Sequence, residues 1–173
     1  AEIKQRNIFK NVTFETKKGT SDGLEIIDIN VEEKPTGEIM AGAGVGTNGG
    51  TISIGIKENN WLGEGKRVGF DLTLDEESIA GVLEYSNPNY DFLGNSLNYS
   101  ISSEKNDKPE QGYENSIISA NIGTSFQQFK DVTAFLGLNV SYDDLQTLEN
   151  ASASLKKQSG TYSELAGTYS FTL

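Results

Sequence analysis

Arg67-Val68-Gly69-Phe70-Asp71-Leu72-Thr73-Leu74-Asp75 alternates along its whole length, with Val68, Phe70, Leu72 and Leu74 on one face and Gly69, Asp71, Thr73 and Asp75 on the other. Successive side chains of a strand point to opposite faces, so this segment is a strand with one apolar and one polar side. The same pattern spreads outward in both directions. Upstream, 51–58 carries Ile52, Ile54 and Ile56 on one side, and 38–47 sets Ile39, Ala41, Ala43 and Val45 against Met40, Gly42, Gly44 and Gly46. Downstream, strands are expected at 79–86, 96–103, 114–125 and 131–142, and an eighth ends the chain at 163–173. A partly helical loop is expected near 145–155.

No apolar run approaches the roughly 20 residues of a spanning helix, whereas a spanning strand needs only about 9–11 with alternate residues apolar. Hydrophobic residues at 35% of the chain are compatible with such a wall. The predicted fold is therefore all-β, an antiparallel transmembrane β-barrel of about eight strands over 35–173. Polar turns join the strands, and Asn48-Gly49-Gly50 is a strong hairpin signal. Long and short connections are expected to alternate between the two rims. Tyr85, Tyr90, Phe92, Phe126 and Phe129 fall near strand ends, where an interfacial aromatic girdle would lie.

The formal charge of −11 disfavours nucleic acid, which requires clustered Lys and Arg. Cysteine and histidine are both absent, which removes disulfides, thiol nucleophiles, Ser-His machinery and nearly all zinc chemistry. No carboxylate pair is marked out by its spacing, so no enzyme, cofactor or metal is expected. Gly44-Val45-Gly46-Thr47-Asn48-Gly49 matches a dinucleotide-binding pattern, but that motif works only between a strand and a helix, and a strand follows here. Asn-x-Ser/Thr triplets at Asn11, Asn98, Asn139 and Asn150 are read as chance.

Residues 1–34 differ from the rest. Val12 to Glu15 and 24–33 read as two strands joined by a turn-rich loop over 17–23, a unit too small to bury its own core. It is expected to be the end of a small α+β domain, separated from the wall by the break Lys34-Pro35-Thr36-Gly37. The chain opens at Ala1 and its last strand runs to Leu173, so it is read as a segment of something longer. Gly42, Gly44 and Gly46 admit two readings: they relieve crowding inside a curved wall, or they build a strand that opens and offers backbone groups to another chain.

The junction Val31-Glu32-Glu33-Lys34-Pro35-Thr36-Gly37, the glycine-rich strand after it, the turn Asn59-Asn60-Trp61-Leu62-Gly63-Glu64-Gly65 and the strand end Ser86-Asn87-Pro88-Asn89-Tyr90 together resemble the BamA-type family of outer-membrane β-barrel assembly factors. The resemblance implies that 1–34, with Ile8-Phe9-Lys10-Asn11-Val12 as strand entry, is the C-terminal part of a periplasmic POTRA domain. It also implies that 35–173 is the N-terminal half of a larger barrel in the bacterial outer membrane. The implied function is the folding and insertion of other β-barrel proteins. Glu38, Ile39, Met40, Ala41, Gly42, Ala43, Gly44, Val45 and Gly46 would form the lateral gate and client template. Asn59, Asn60, Trp61, Leu62, Gly63 and Gly65 would form the periplasmic-rim turn. The implied partners are nascent outer-membrane proteins, accessory lipoproteins of an assembly complex, and the bilayer with its lipopolysaccharide. A transporter or autotransporter-assembly protein of the same layout, and a passive small barrel, are the alternatives.

Overall fold

A computed structural model describes residues 8–21, 23–46 and 49–173. Two antiparallel sheets account for nearly all of them. The first is a hairpin of β1 (Phe9–Lys18) and β2 (Glu25–Glu33). The first strand extends past the sequence reading, because pairing continues through Lys17↔Ile26 and Lys18↔Glu25 before Gly19 N–H donates to the Leu24 carbonyl at 2.9 Å, while the second matches it to within one residue. Only this hairpin of the expected α+β domain lies among the described residues.

The second sheet has eight strands in simple sequential order. They are β3 (Gly37–Gly46), β4 (Gly49–Trp61), β5 (Lys66–Asp75), β6 (Ser78–Asn87), β7 (Ser96–Lys108), β8 (Tyr113–Phe129), β9 (Val132–Thr147) and β10 (Gly160–Thr172). The register aligns the apolar positions across all of them. Ile54 pairs with Leu72, Ile56 with Phe70, Phe70 with Leu83, Leu83 with Ile101, Ile101 with Ala120, Ala120 with Val140, and Val140 with Leu165. A one-residue slip at any ladder would carry that strand's apolar set to the polar face. The apolar face is left open: among the described residues the buried apolar side chains are Ile8, Val12, Ala134 and Ala151 alone. A sheet with an aligned apolar face and no core beneath it is a lipid-facing wall. No described helix is long and apolar enough to cross a membrane.

Several element ends differ from the sequence reading. The stretch between the strands expected at 96–103 and 114–125 is mostly strand, with β7 continuing to Lys108 and only 109–112 turning; β9 likewise runs on to Thr147, and β8 to Phe129. Out there the strands pair through polar groups: Lys105 Nζ lies 3.6 Å from Glu114, Asn106 Nδ2 donates to Asn115 Oδ1 at 3.1 Å, and Asn115 Nδ2 to Asp143 at 3.4 Å. Apolar alternation reports only the lipid-crossing part of a strand. Beyond it the ladder persists while the signal fades.

The expected sorting of long and short connections between rims is not found. One rim carries turns 62–65, 88–95 and 130–131, and the other 76–77, 109–112 and 148–159, so both mix lengths. The asymmetry lies in the strands instead, with β7, β8 and β9 at 13, 17 and 16 residues against 10 each for β3, β5 and β6. The long connection holds the helix α1 (Ala153–Lys156), N-capped by Ser152, whose Oγ accepts from Leu155 N–H at 3.2 Å. It is latched to the β7–β8 turn, as Leu148 N–H donates to the Gly112 carbonyl at 2.8 Å and Asn150 Nδ2 to that of Pro109 at 2.8 Å.

Candidate functional site at the first edge of the wall

Strand β3 pairs only with β4, so its other side presents unpaired backbone N–H and C=O groups among the described residues. The residues expected to form the gate occupy it continuously: Ile39, Ala41, Ala43 and Val45 lie on the apolar face, and Glu38, Met40, Gly42, Gly44 and Gly46 on the polar one. Ile39 and Val45 are 81% and 92% exposed, against 43% for Phe70 in the middle of the wall. A methyl group built on Gly42 would meet Ser53 Oγ at 3.0 Å, whereas nothing lies within 4 Å at Gly44 or Gly46. Among the described residues, crowding is thus found at Gly42 and not at Gly44 or Gly46. The turn that follows is described only from Gly49; Thr47 and Asn48 of the hairpin signal lie outside the described residues.

The rim-turn residues divide in two. Asn59, Asn60 and Trp61 belong to β4, past a bulge between Glu58 and Trp61 in its pairing with β5, and only Leu62, Gly63, Glu64 and Gly65 turn. The strand continues because Asn59 bonds sideways: its N–H donates to the Thr36 carbonyl at 3.2 Å, and its Nδ2 to the same oxygen at 3.1 Å. Leu62, Gly63 and Gly65 all have positive φ, of 56°, 76° and 68°. Gly63 and Gly65 meet that demand without strain, while Leu62 is held there by the bonds around it. Gly63 N–H reaches the Asn60 carbonyl at 2.9 Å, and Gly65 N–H reaches Asn60 Oδ1 at 2.7 Å.

Trp61 shares its rim with Tyr90, Phe92 and Phe129, which are 58%, 96% and 66% exposed, and with the end of β10, where Tyr169 and Phe171 meet edge-to-face at 4.7 Å. The expected girdle residues thus gather at one rim, although Tyr85 stacks on the wall itself against Tyr99 at 5.9 Å. In the loop 88–95 beside them, Asp91 accepts from Leu93 N–H at 2.9 Å, Asn95 N–H at 3.1 Å and Asn95 Nδ2 at 2.7 Å. The Asn95 backbone bond foremost, then its side chain and Leu93, hold this carboxyl below the ordinary aspartate range.

Sequence reading missed the polar face of β7, β8 and β9. Asn139 Nδ2 donates to Asn121 Oδ1 at 2.6 Å, and Asn121 Nδ2 to Ser100 Oγ at 3.1 Å, a ladder across the three strands. Beside it the Phe135 ring covers the cross-strand pair Gly123–Gly137, where a methyl on Gly123 would come within 2.6 Å of the ring. The spacing of Phe135 and Gly137, two apart on one face, was the available signal. Ser100, Asn121, Phe135 and Asn139 line a recess of about 390 Å³. Among the described residues no group of His, Cys, Asp or Glu is arranged to hold a metal.

Fold and site define an antiparallel β-barrel wall whose strand β3 has one free edge among the described residues. The Omp85 superfamily domain matches residues 60–173, and the chain belongs to that superfamily. It is 26% identical over 136 residues to the outer membrane protein assembly factor BamA of Neisseria meningitidis serogroup B, a match covering 77% of this chain and 16% of that protein. It superposes on the crystal structure of BamA from Haemophilus ducreyi lacking POTRA domains 1–3 with a TM-score of 0.76 at 21% identity, covering 98% of this chain and 35% of that one. The chain therefore spans a minor part of the length of both relatives.

Proposed function

We propose that this chain is the opening wall of an outer-membrane β-barrel assembly factor, in which β3 serves as lateral gate and as template for the last strand of an incoming client. The observation that carries the reading is the unpaired edge of β3, apolar toward lipid and glycine-lined within, placed first in the wall. A strand added there gains main-chain hydrogen bonds indifferent to client sequence, which suits a machine with many clients and no catalytic step. The BamA likeness supports the same reading. In it, residues 1–34 close the last periplasmic POTRA domain, and the Trp61 rim faces the periplasm, where indole sits well at the interface. Nascent outer-membrane proteins, accessory lipoproteins and the lipopolysaccharide-bearing bilayer are the partners.

Because the chain has no cysteine, single cysteines at Met40, Gly42 and Gly44 in the full-length protein are clean probes. Each is paired with a cysteine scanned along the C-terminal strand of a barrel client during assembly. Disulfides at one fixed register are expected. Their absence, with the protein folded and abundant, would leave the transporter or passive-barrel reading in its place.

A further inference from the structure

The two ends of β3 are held in different ways. At the Gly37 end, the Thr36 hydroxyl donates to the Glu58 carboxylate, whose Oε1 also accepts from Asn60 N–H at 2.7 Å. Asn59 gives both its N–H and its Nδ2 to the Thr36 carbonyl, and Nδ2 also lies 3.4 Å from Glu38 Oε1. The Asn59 N–H continues the β3–β4 register, in which Gly37 faces Glu58 and Thr36 comes opposite Asn59. On the other side of β4 a bulge leaves Asn59 and Asn60 without partners on β5. Gly37 leaves room for the arrangement, since a methyl there would lie 3.2 Å from Glu58 Oε2.

At the Gly46 end the polar side chains of β4 and its neighbours bond away from β3. The Thr51 hydroxyl donates to Asp75 on β5, and Gly50 N–H reaches Glu76 Oε1, in the β5–β6 turn, at 3.2 Å. Strand β4 is thereby tied to β5 and the turn beyond it. Among the described residues, β3 is held there by its backbone ladder alone, through glycines that give up the most conformational freedom on ordering.

We infer that Thr36, Glu58 and Asn59 form a clasp that positions the Gly37 end of β3, so that the strand yields first at its Gly46 end. The inference deepens the proposed function and rests on it for its purpose: a template strand fixed beside the linker and free to move at its far end can adjust its open edge to an incoming strand while staying anchored. Glu58 and Thr36 are positioning residues that act through β3.

The test is residue-resolved hydrogen exchange on the full-length protein in lipid nanodiscs, without client. Of the β3 amides bonded to β4, those in 43–46 should exchange about tenfold faster than those in 37–41. Thr36→Ala and Glu58→Ala should each abolish the difference, Thr36→Ser should restore it, and β4–β5 amides should keep their rates throughout. Equal rates in the unaltered protein, or a gradient that survives both alanine variants, would overturn the clasp. If Glu58→Ala does not fold, the Thr36→Ala and Thr36→Ser pair decides alone. Exchange reads the clasp with no client present, and crosslinking reads the client, so the failure of one is distinguishable from the failure of the other.

Discussion

The wall is built to two standards, and β3–β4 and β8–β9 mark the extremes. Both ladders contain cross-strand glycine: Gly46 faces Gly49 in the first and Gly123 faces Gly137 in the second. At β8–β9 the Phe135 ring lies on the pair, and the Asn121–Asn139 bond fixes the next polar-face row. At β3–β4, among the described residues, nothing covers Gly44 or Gly46. Glycine alone therefore does not make a strand loose. It loosens where no neighbour fills the missing side chain, and stiffens where an aromatic ring takes that space and restores packing across the ladder.

The largest expected effect comes from putting one methyl group into each region. Gly123→Ala drives a Cβ to within 2.6 Å of the Phe135 ring, which must swing off both glycines; the expected cost is about 1–3 kcal/mol in reversible urea unfolding. Gly44→Ala meets open space at ordinary backbone angles, so the loss of unfolded-state freedom should stabilise by about 0.4–1 kcal/mol. Opposite signs for one chemical change would sharpen the comparison. Equal destabilisation would break it, showing the Gly44 environment to be as full as that of Gly123.

A smaller effect is expected from the polar ladder. Asn121→Ala deletes the bonds to Asn139 and Ser100, both only part-buried, and should cost about 1 kcal/mol, the low end for two bonds each worth roughly 0.5–1.5 kcal/mol net. Ser53→Ala, on the polar face of β4, removes a hydroxyl with no hydrogen-bond partner among the described residues and should stay within about 0.5 kcal/mol. The measurement is again urea unfolding, and comparable losses at the two sites would show that β4 carries hidden polar support.

How much was legible follows from what each part of the wall faces. The lipid-crossing strands were readable because lipid imposes an apolar residue at every second position, so Val68 to Leu74 and Leu136 to Val140 announced themselves. The outer reaches of β7 and β9 were not, since water accepts Lys105, Asp107 and Asp144 on either face and leaves no alternation to detect. Within the site, the glycines of β3 were visible, but their meaning depended on whether a ring lay over them, which only pairing reveals. The clasp was invisible for a related reason. Glu58 reads as the polar end of an alternating strand, and its bond to Thr36 follows from its pairing with Gly37, a register that only the folded sheet shows.

The smallest effect lies between the two regions, in the loop 88–95 that joins β6 to β7. Its Asp91 carboxyl is held below the ordinary aspartate range, chiefly by the Asn95 N–H and then by the Asn95 side chain and Leu93 N–H. A folded-state value below the unfolded one means the stabilisation is complete above the unfolded aspartate range and is lost as pH falls through the folded value. The amide NMR shifts of Leu93 and Asn95 should therefore titrate together below the usual aspartate midpoint, and Asp91→Asn should flatten both curves. Gly123 and Gly137 should not move over that range, since ring packing carries no proton. If they shift with Asp91, the stiff side of the wall draws on loop electrostatics as well as on Phe135. If Leu93 and Asn95 titrate at the ordinary midpoint, the carboxylate does not hold the loop, and the rim beside Trp61 belongs with the yielding side of the comparison.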